Sequence, residues 1–181
     1  MSLYFITTNA DKFEEAKAIV PELEQLDIEL PEIQELDPKL IIRKKLEAAF
    51  LHKDSAFVVD DTSLYFDCLK GALPGPLIKW FLKGLGLEGM VDIAQKMKQS
   101  GALVETILGY TKASDEIHYF TGSLRGNIVP PRGRAFGFDP IFEVENTSKT
   151  FAEMNKEEKN AISHRYQAFS KLKDFLQITN Q

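Results

Sequence analysis

Two adjacent carboxylates, Asp60 and Asp61, follow the apolar run Phe57-Val58-Val59 and precede Thr62-Ser63-Leu64. The run reads as a buried strand delivering charge to its own end. In open α/β sheets ligands bind in the crevice at the carboxyl ends of the strands, so acids there are better placed for catalysis than acids on a helix face. Paired aspartates after a strand are also ordinary turn and cap formers, and this stretch alone leaves both readings open. Three other clusters carry chemistry. Thr7, Thr8 and Asn9, with Lys12 three residues on, place hydroxyls, backbone N–H groups and an ammonium where a helix begins, an arrangement that surrounds a phosphate or simply caps the helix. The segment from Pro130 to Pro140 is dense in glycine, proline, arginine and aromatics, and Phe136 and Phe138 either form a plate for a flat base or fill the core. His164 and Arg165 fall in the first turn of a helix capped by Ser163, where a cation is disfavoured by up to about 1 kcal/mol unless an anion is bound nearby.

The elements that must hold these groups follow from periodicity. Leu3 to Ile6 reads as a strand, and Phe13, Ala16, Ile19 and Val20 mark the apolar stripe of a helix capped by Asn9. Ile28 to Leu36, interrupted by Pro31, reads as an edge strand or extended loop carrying Glu32 and Glu35. Asp37-Pro38 opens a helix with Ile42, Leu46, Ala49 and Phe50 on its buried side. Its other side carries Lys39, Arg43, Lys44 and Lys45, a solvated basic face from which one member could reach into a cleft. Gly71, Pro74, Gly75 and Pro76 make a constrained loop, and a short helix from Leu77 to Leu82 is expected to end at Gly84. Trp80 is expected in the core, and Lys79 either faces solvent or is aimed inward by the rigid loop. A second helix runs from Leu87 to Lys98. Leu103 to Tyr110 and Ile117 to Arg125 read as an antiparallel hairpin joined by the polar segment 112–116. Lys156 to Asn160 is polar, and the last helix buries Tyr166, Phe169, Leu172, Phe175 and Leu176. Strands before and after a helical middle predict an α/β fold with a mixed central sheet and flanking helices.

Bulk properties narrow the function classes. The 181 residues suit a single domain of two lobes over 1–181. Lys and Arg total 22 against 27 Asp and Glu, a formal charge of -5, which argues against a broad grip on nucleic acid. The lone Cys68 excludes an internal disulfide and a cysteine-rich zinc site, and reads as a small buried hydrophobe. Three histidines, none at ligand spacing, give no zinc motif either. The N-terminus lacks a basic region followed by a long apolar core, and no stretch has the length of a membrane span, so a cytoplasmic protein with no membrane partner is expected.

Taken together, Thr7-Thr8-Asn9 with Lys12, Asp60-Asp61-Thr62, the run from Gly71 to Phe81, Phe136-Gly137-Phe138-Asp139-Pro140 and Lys159-Asn160-Ala161-Ile162-Ser163-His164-Arg165 resemble the inosine triphosphate pyrophosphatase (Ham1-like) family, in order and spacing, across nearly the whole chain. The resemblance implies two lobes enclosing a nucleotide cleft, and Mg²⁺-dependent hydrolysis of ITP, dITP and XTP to the monophosphate and pyrophosphate, by a homodimer. It implies that Thr8, Asn9 and Lys12 contact the triphosphate and that Glu32, Asp61 and the neighbouring Asp60 surround Mg²⁺, with Asp61 catalytic as ligand or base. It further implies that Phe136 and Phe138 line the base pocket, that Asp139, His164 and Arg165 recognise the 6-oxopurine, and that Lys79 and Lys159 are substrate contacts. The chain departs from the family at Thr8, Ser63 and Phe138, none of which removes a charge, and at Val104-Glu105-Thr106, where many members carry an Arg-Ala pair. A phosphatase of the haloacid dehalogenase type is disfavoured, because its Asp-x-Asp spacing is missing and adjacent residues of an extended chain point to opposite sides.

Overall fold

The computed structural model describes residues 2–113 and 116–179. Among the described residues, seven strands and five α-helices follow one another as β1 (Leu3–Ile6), α1 (Ala10–Ile19), β2 (Leu23–Leu26), α2 (Pro38–Phe50), β3 (Ala56–Phe66), β4 (Pro74–Gly75), α3 (Ile78–Lys96), β5 (Gly101–Ala113), β6 (Glu116–Ile128), β7 (Phe142–Val144), α4 (Lys156–Ile162) and α5 (His164–Thr179). The strand order is β2-β1-β3-β5-β6-β7, with β4 on β3. The sheet is mixed, as expected: β1 runs parallel to both β2 and β3, while β4 is antiparallel to β3 and β7 to β6. β5 and β6 are neighbours, and Ser114 and Asp115, within the polar segment expected to join them, lie outside the described residues. The chain divides into two compact units, one of Met1–Asp61, Thr106–Gly122 and His164–Gln181, the other of Thr62–Glu105 and Ser123–Ser163.

In the first unit, strand alternation sorts side chains into two cores. Leu3 and Phe5 of β1 and Val58 of β3 pack with Ala16 and Val20 near α1 and with Phe169 and Leu172 of α5. Their sequence neighbours Ile6, Phe57 and Val59 pack with Ile42, Leu46 and Ala49 of α2. Both faces of β1 and β3 are therefore covered, which is why these strands read as continuous apolar runs. The helix starts follow local chemistry: Asn9 Oδ1 accepts the Lys12 amide at 3.1 Å, Asp37 Oδ1 accepts that of Lys39 at 2.9 Å, and Pro38 stands in the first turn. α5 lies directly on β6. A Cβ at Gly122 would overlap the carbonyl oxygen of His164 and lie 2.7 Å from the amide nitrogen of Ala168.

The second unit has its own core of Leu64 and Phe66 from β3, Met90, Val91 and Ala94 from α3, and Ile141, Phe142, Val144 and Phe151. Cys68 is buried, as expected.

Several expectations are corrected. β3 does not end at the acids but runs on to Phe66, because Leu64 and Phe66 continue the inward alternation. Of the two readings of residues 28–36 the extended loop holds and the edge strand does not, while the strand beside β1 is the earlier β2, whose sequence Leu-Glu-Gln-Leu hides it. α3 is two helices that meet at Gly86, with φ 67° and ψ −179°, a conformation open essentially to glycine, so both expected helices are present and the break between them falls at Gly86 instead of Gly84. Trp80 is 49% exposed, not core, and its ring lies under the Lys83 ammonium at 5.6 Å. The polar stretch after Asn155 is helix α4, held at its start by a reciprocal pair in which Asn155 Oδ1 accepts the Glu158 amide and the Glu158 carboxylate accepts the Asn155 amide.

Candidate active site

The turn from β1 into α1 puts the first group of polar side chains together in the first unit. Thr7 Oγ1 accepts the Asn9 amide at 3.1 Å, Thr8 is exposed, and Lys12, one turn into α1, donates from Nζ to the Asp60 carboxylate at 3.0 Å. Asp60 is buried. Burial alone would push its carboxyl up, but the Lys12 ammonium, the Arg165 guanidinium and the Lys45 ammonium outweigh it and hold the group at about 2. Arg165 comes from the first turn of α5, where it donates to Glu15 of α1 at 2.7 Å and stands 3.8 Å from Asp60. These two carboxylates are the anions that its position at a helix start calls for. His164 beside it is buried.

Asp61 leaves β3 on the opposite face from Asp60, as extended chain requires, and meets a different cation. Lys45 Nζ lies 3.8 Å from Asp61 Oδ1 and 3.2 Å from Glu32 Oε1, and donates to the Asp60 carbonyl oxygen at 3.0 Å. Its three N–H donors thus face three oxygens. Among the described residues no three His, Cys, Asp or Glu side chains converge as a metal cage. The two carboxylates and one carbonyl already gathered around an ammonium are nonetheless the hard oxygen donors that Mg²⁺ takes when it keeps most of its water and shares phosphate oxygens. The donor chemistry fits that ion, which Glu32 and Asp61 could hold.

Lys45 is the member of the basic side of α2 that turns inward, an alternative the sequence left open without singling out this residue. The signal was available. Lys45 stands four residues after Ile41, three after Ile42 and four before Ala49, inside the buried stripe of α2, and only 8% of it is exposed.

The second unit holds the other candidates. Phe136 is 78% exposed, while Phe138 is half-buried against the core with its ring edge-on to Phe142, so the two aromatics of the loop split between plate and packing. Gly137 between them has φ 66°, a left-handed turn that lets consecutive aromatics diverge. Asp139 accepts from Lys159 Nζ at 2.5 Å, and that ammonium also lies 5.3 Å from the Phe151 ring. The loop is anchored upstream by Arg132, which pairs with Glu143 and Glu153 and whose carbonyl accepts the Thr150 hydroxyl. Lys79 is exposed on α3.

The family profile described as the Ham1 family matches residues 3–175. The chain belongs to the Ham1 family. Similar Ham1 relatives include inosine triphosphate pyrophosphatases of Tuber melanosporum, 41% identical over 97% of this chain and 97% of the relative, and of Saccharomyces cerevisiae, 38% identical over 96% and 95%. Among solved structures, the Ham1 protein of Staphylococcus aureus superimposes with a TM-score of 0.80 at 25% identity, over 97% of this chain and 98% of that one. This Ham1 chain shares their mixed open sheet and flanking helices.

Proposed function

We propose that this Ham1 protein hydrolyses deaminated purine nucleoside triphosphates, ITP, dITP and XTP, to the monophosphate and pyrophosphate. The observation that carries the reading is near-full-length similarity to proteins named inosine triphosphate pyrophosphatases. The first unit supplies groups suited to the phosphate end: Thr8, Asn9 and Lys12 at a helix start, and Asp61 with Glu32 as hard donors. Glu32 and Asp61 would hold Mg²⁺, whose charge would offset that of the phosphates. Asp61 orients the attacking water and accepts one of its protons as the oxygen bonds to phosphorus, the α–β anhydride breaks, and pyrophosphate leaves with the electron pair. Phe136 and Phe138 present aromatic surface to the base, and Asp139 and Lys159, already paired, offer an acceptor and a donor. Arg165 and His164 supply donors that favour a carbonyl at purine position 6 over the amino group of ATP, since a mismatch leaves buried polar groups unpaired. A homodimer in the cytoplasm, without nucleic-acid or membrane partners, completes the proposal. No helix among the described residues is long and apolar enough to cross a membrane.

A nucleotide panel of ITP, dITP, XTP, GTP and ATP, assayed for pyrophosphate and orthophosphate with and without Mg²⁺, tests it. Pyrophosphate release from the first three, dependent on Mg²⁺, is expected. Orthophosphate as the first product points to phosphatase chemistry, and no turnover points to a binding module.

A further inference from the structure

Lys45 does not simply lie near the acids; it occupies the position between them. Its ammonium is 3.2 Å from Glu32, 3.8 Å from Asp61 and 3.0 Å from the Asp60 carbonyl. The Lys45 and Asp61 side chains are only 10% and 12% exposed, whereas Glu32 is 55% exposed, so the oxygen set opens to water on the Glu32 side. An ammonium and a divalent cation drawn to the same oxygens compete for them, since like charges that close repel strongly in a partly desolvated site.

We propose that Lys45 is a built-in counter-cation that competes with the divalent metal for Glu32 and Asp61, so that metal binding displaces its ammonium. The proposal rests on the reading of Glu32 and Asp61 as metal holders given above. Without metal, Lys45 offsets the repulsion between the two carboxylates and keeps them in place on α2's side of β3. With metal, the ammonium must swing off these oxygens, and a polyanion such as a triphosphate is the partner that best receives it. Metal and triphosphate then assist each other's binding, because each relieves a cost imposed by the other's absence.

The discriminating experiment is a titration with Mn²⁺ alone, without nucleotide, followed by the loss of the free-ion electron paramagnetic resonance signal. Lys45→Met should bind Mn²⁺ about tenfold more tightly than wild type, within the usual range of site-to-site coupling, while Glu32→Gln and Asp61→Asn should lose most binding. Equal or weaker binding by Lys45→Met, with the two acid variants still impaired, overturns the competition and leaves the metal assignment standing. Full binding by both acid variants overturns the metal assignment and the competition with it. Wild-type protein gives a second readout that needs no folded variant. Lys45 acylation by an amine reagent, mapped by peptide mass spectrometry, should rise severalfold when Mg²⁺ is added. An unchanged Lys45 yield at saturating Mg²⁺ overturns the displacement.

Discussion

Asp60 and Asp61 are neighbours in sequence and opposites in environment, because side chains alternate across an extended strand. The Asp60 carboxylate is buried against Lys12 with Arg165 close by, which suits a fixed anion that organises cations. Asp61 faces Lys45 and the more exposed Glu32, which suits an acid that water and metal can reach. Asp61→Asn keeps size and one acceptor oxygen but removes the basic oxygen and the charge. Its kcat on ITP should fall by about 10² to 10³ with KM changed far less, the loss expected of a general base or its positioning equivalent. Turnover near wild type would reject the role. The pairing of an acid to one face or the other was legible from the sequence once a strand was inferred. The identity of the cation on each face was not, since Lys12 reaches Asp60 across 48 positions of chain and Lys45 follows from the exact wheel position on α2. The same limit holds for Arg165, whose partner Glu15 lies 150 residues away.

Elements with their own start signals were legible. Asn9 and Asp37-Pro38 place α1 and α2 correctly, since a capping side chain is a local cause. β2 and α4 escaped for the opposite reason. β2 is four residues long and two of them are polar, so nothing but its pairing with β1 makes it a strand. α4 buries no residue and so lacks an apolar stripe, although the Asn155 and Glu158 spacing of a capping box was there to be read. The extension of β3 beyond the acids escaped because two charges look like an end until Leu64 and Phe66 resume the inward pattern. Close approach between elements is invisible in the same way. Gly122 reads as an ordinary strand glycine, yet it is where α5 touches β6 and sets the height of His164 and Arg165. In Gly122→Ala the new methyl meets backbone on α5 that no rotamer change can clear. A destabilisation of about 3 kcal/mol is expected by urea unfolding, at the upper end of overpacking costs. Loss of less than about 0.5 kcal/mol, the range of neutral surface changes, would show that the helix shifts freely.

For the molecule as a whole, the formal charge of -5 describes a surface average and conceals the local arrangement. Around Asp60 and Asp61, Lys12, Lys45 and Arg165 stand against these acids and Glu15 and Glu32 in alternating contact. Folding stability should carry the signature of that network in acid. Asp60 titrates at about 2 in the folded protein against 3.8 as its ordinary value, so the unfolded chain binds its proton first as pH falls. Its contribution is therefore complete above about pH 4, and it is lost as pH falls through about 2. The size is on the order of 2 kcal/mol, spread over that window with a slope of no more than about 1.4 kcal/mol per pH unit. Other carboxylates change in the same direction, among them Asp67, whose hydrogen bonds from Arg125 hold it below its ordinary value. The contribution of Asp60 is therefore isolated by difference. Urea unfolding of wild type and Asp60→Asn at intervals from pH 5 to pH 2 should give stabilities that converge as the solution becomes more acidic, since the variant has no proton to gain at that position in either state. Parallel curves over the whole range would mean that the three cations do not hold Asp60 ionised, and that the charge network contributes nothing selective to the folded state.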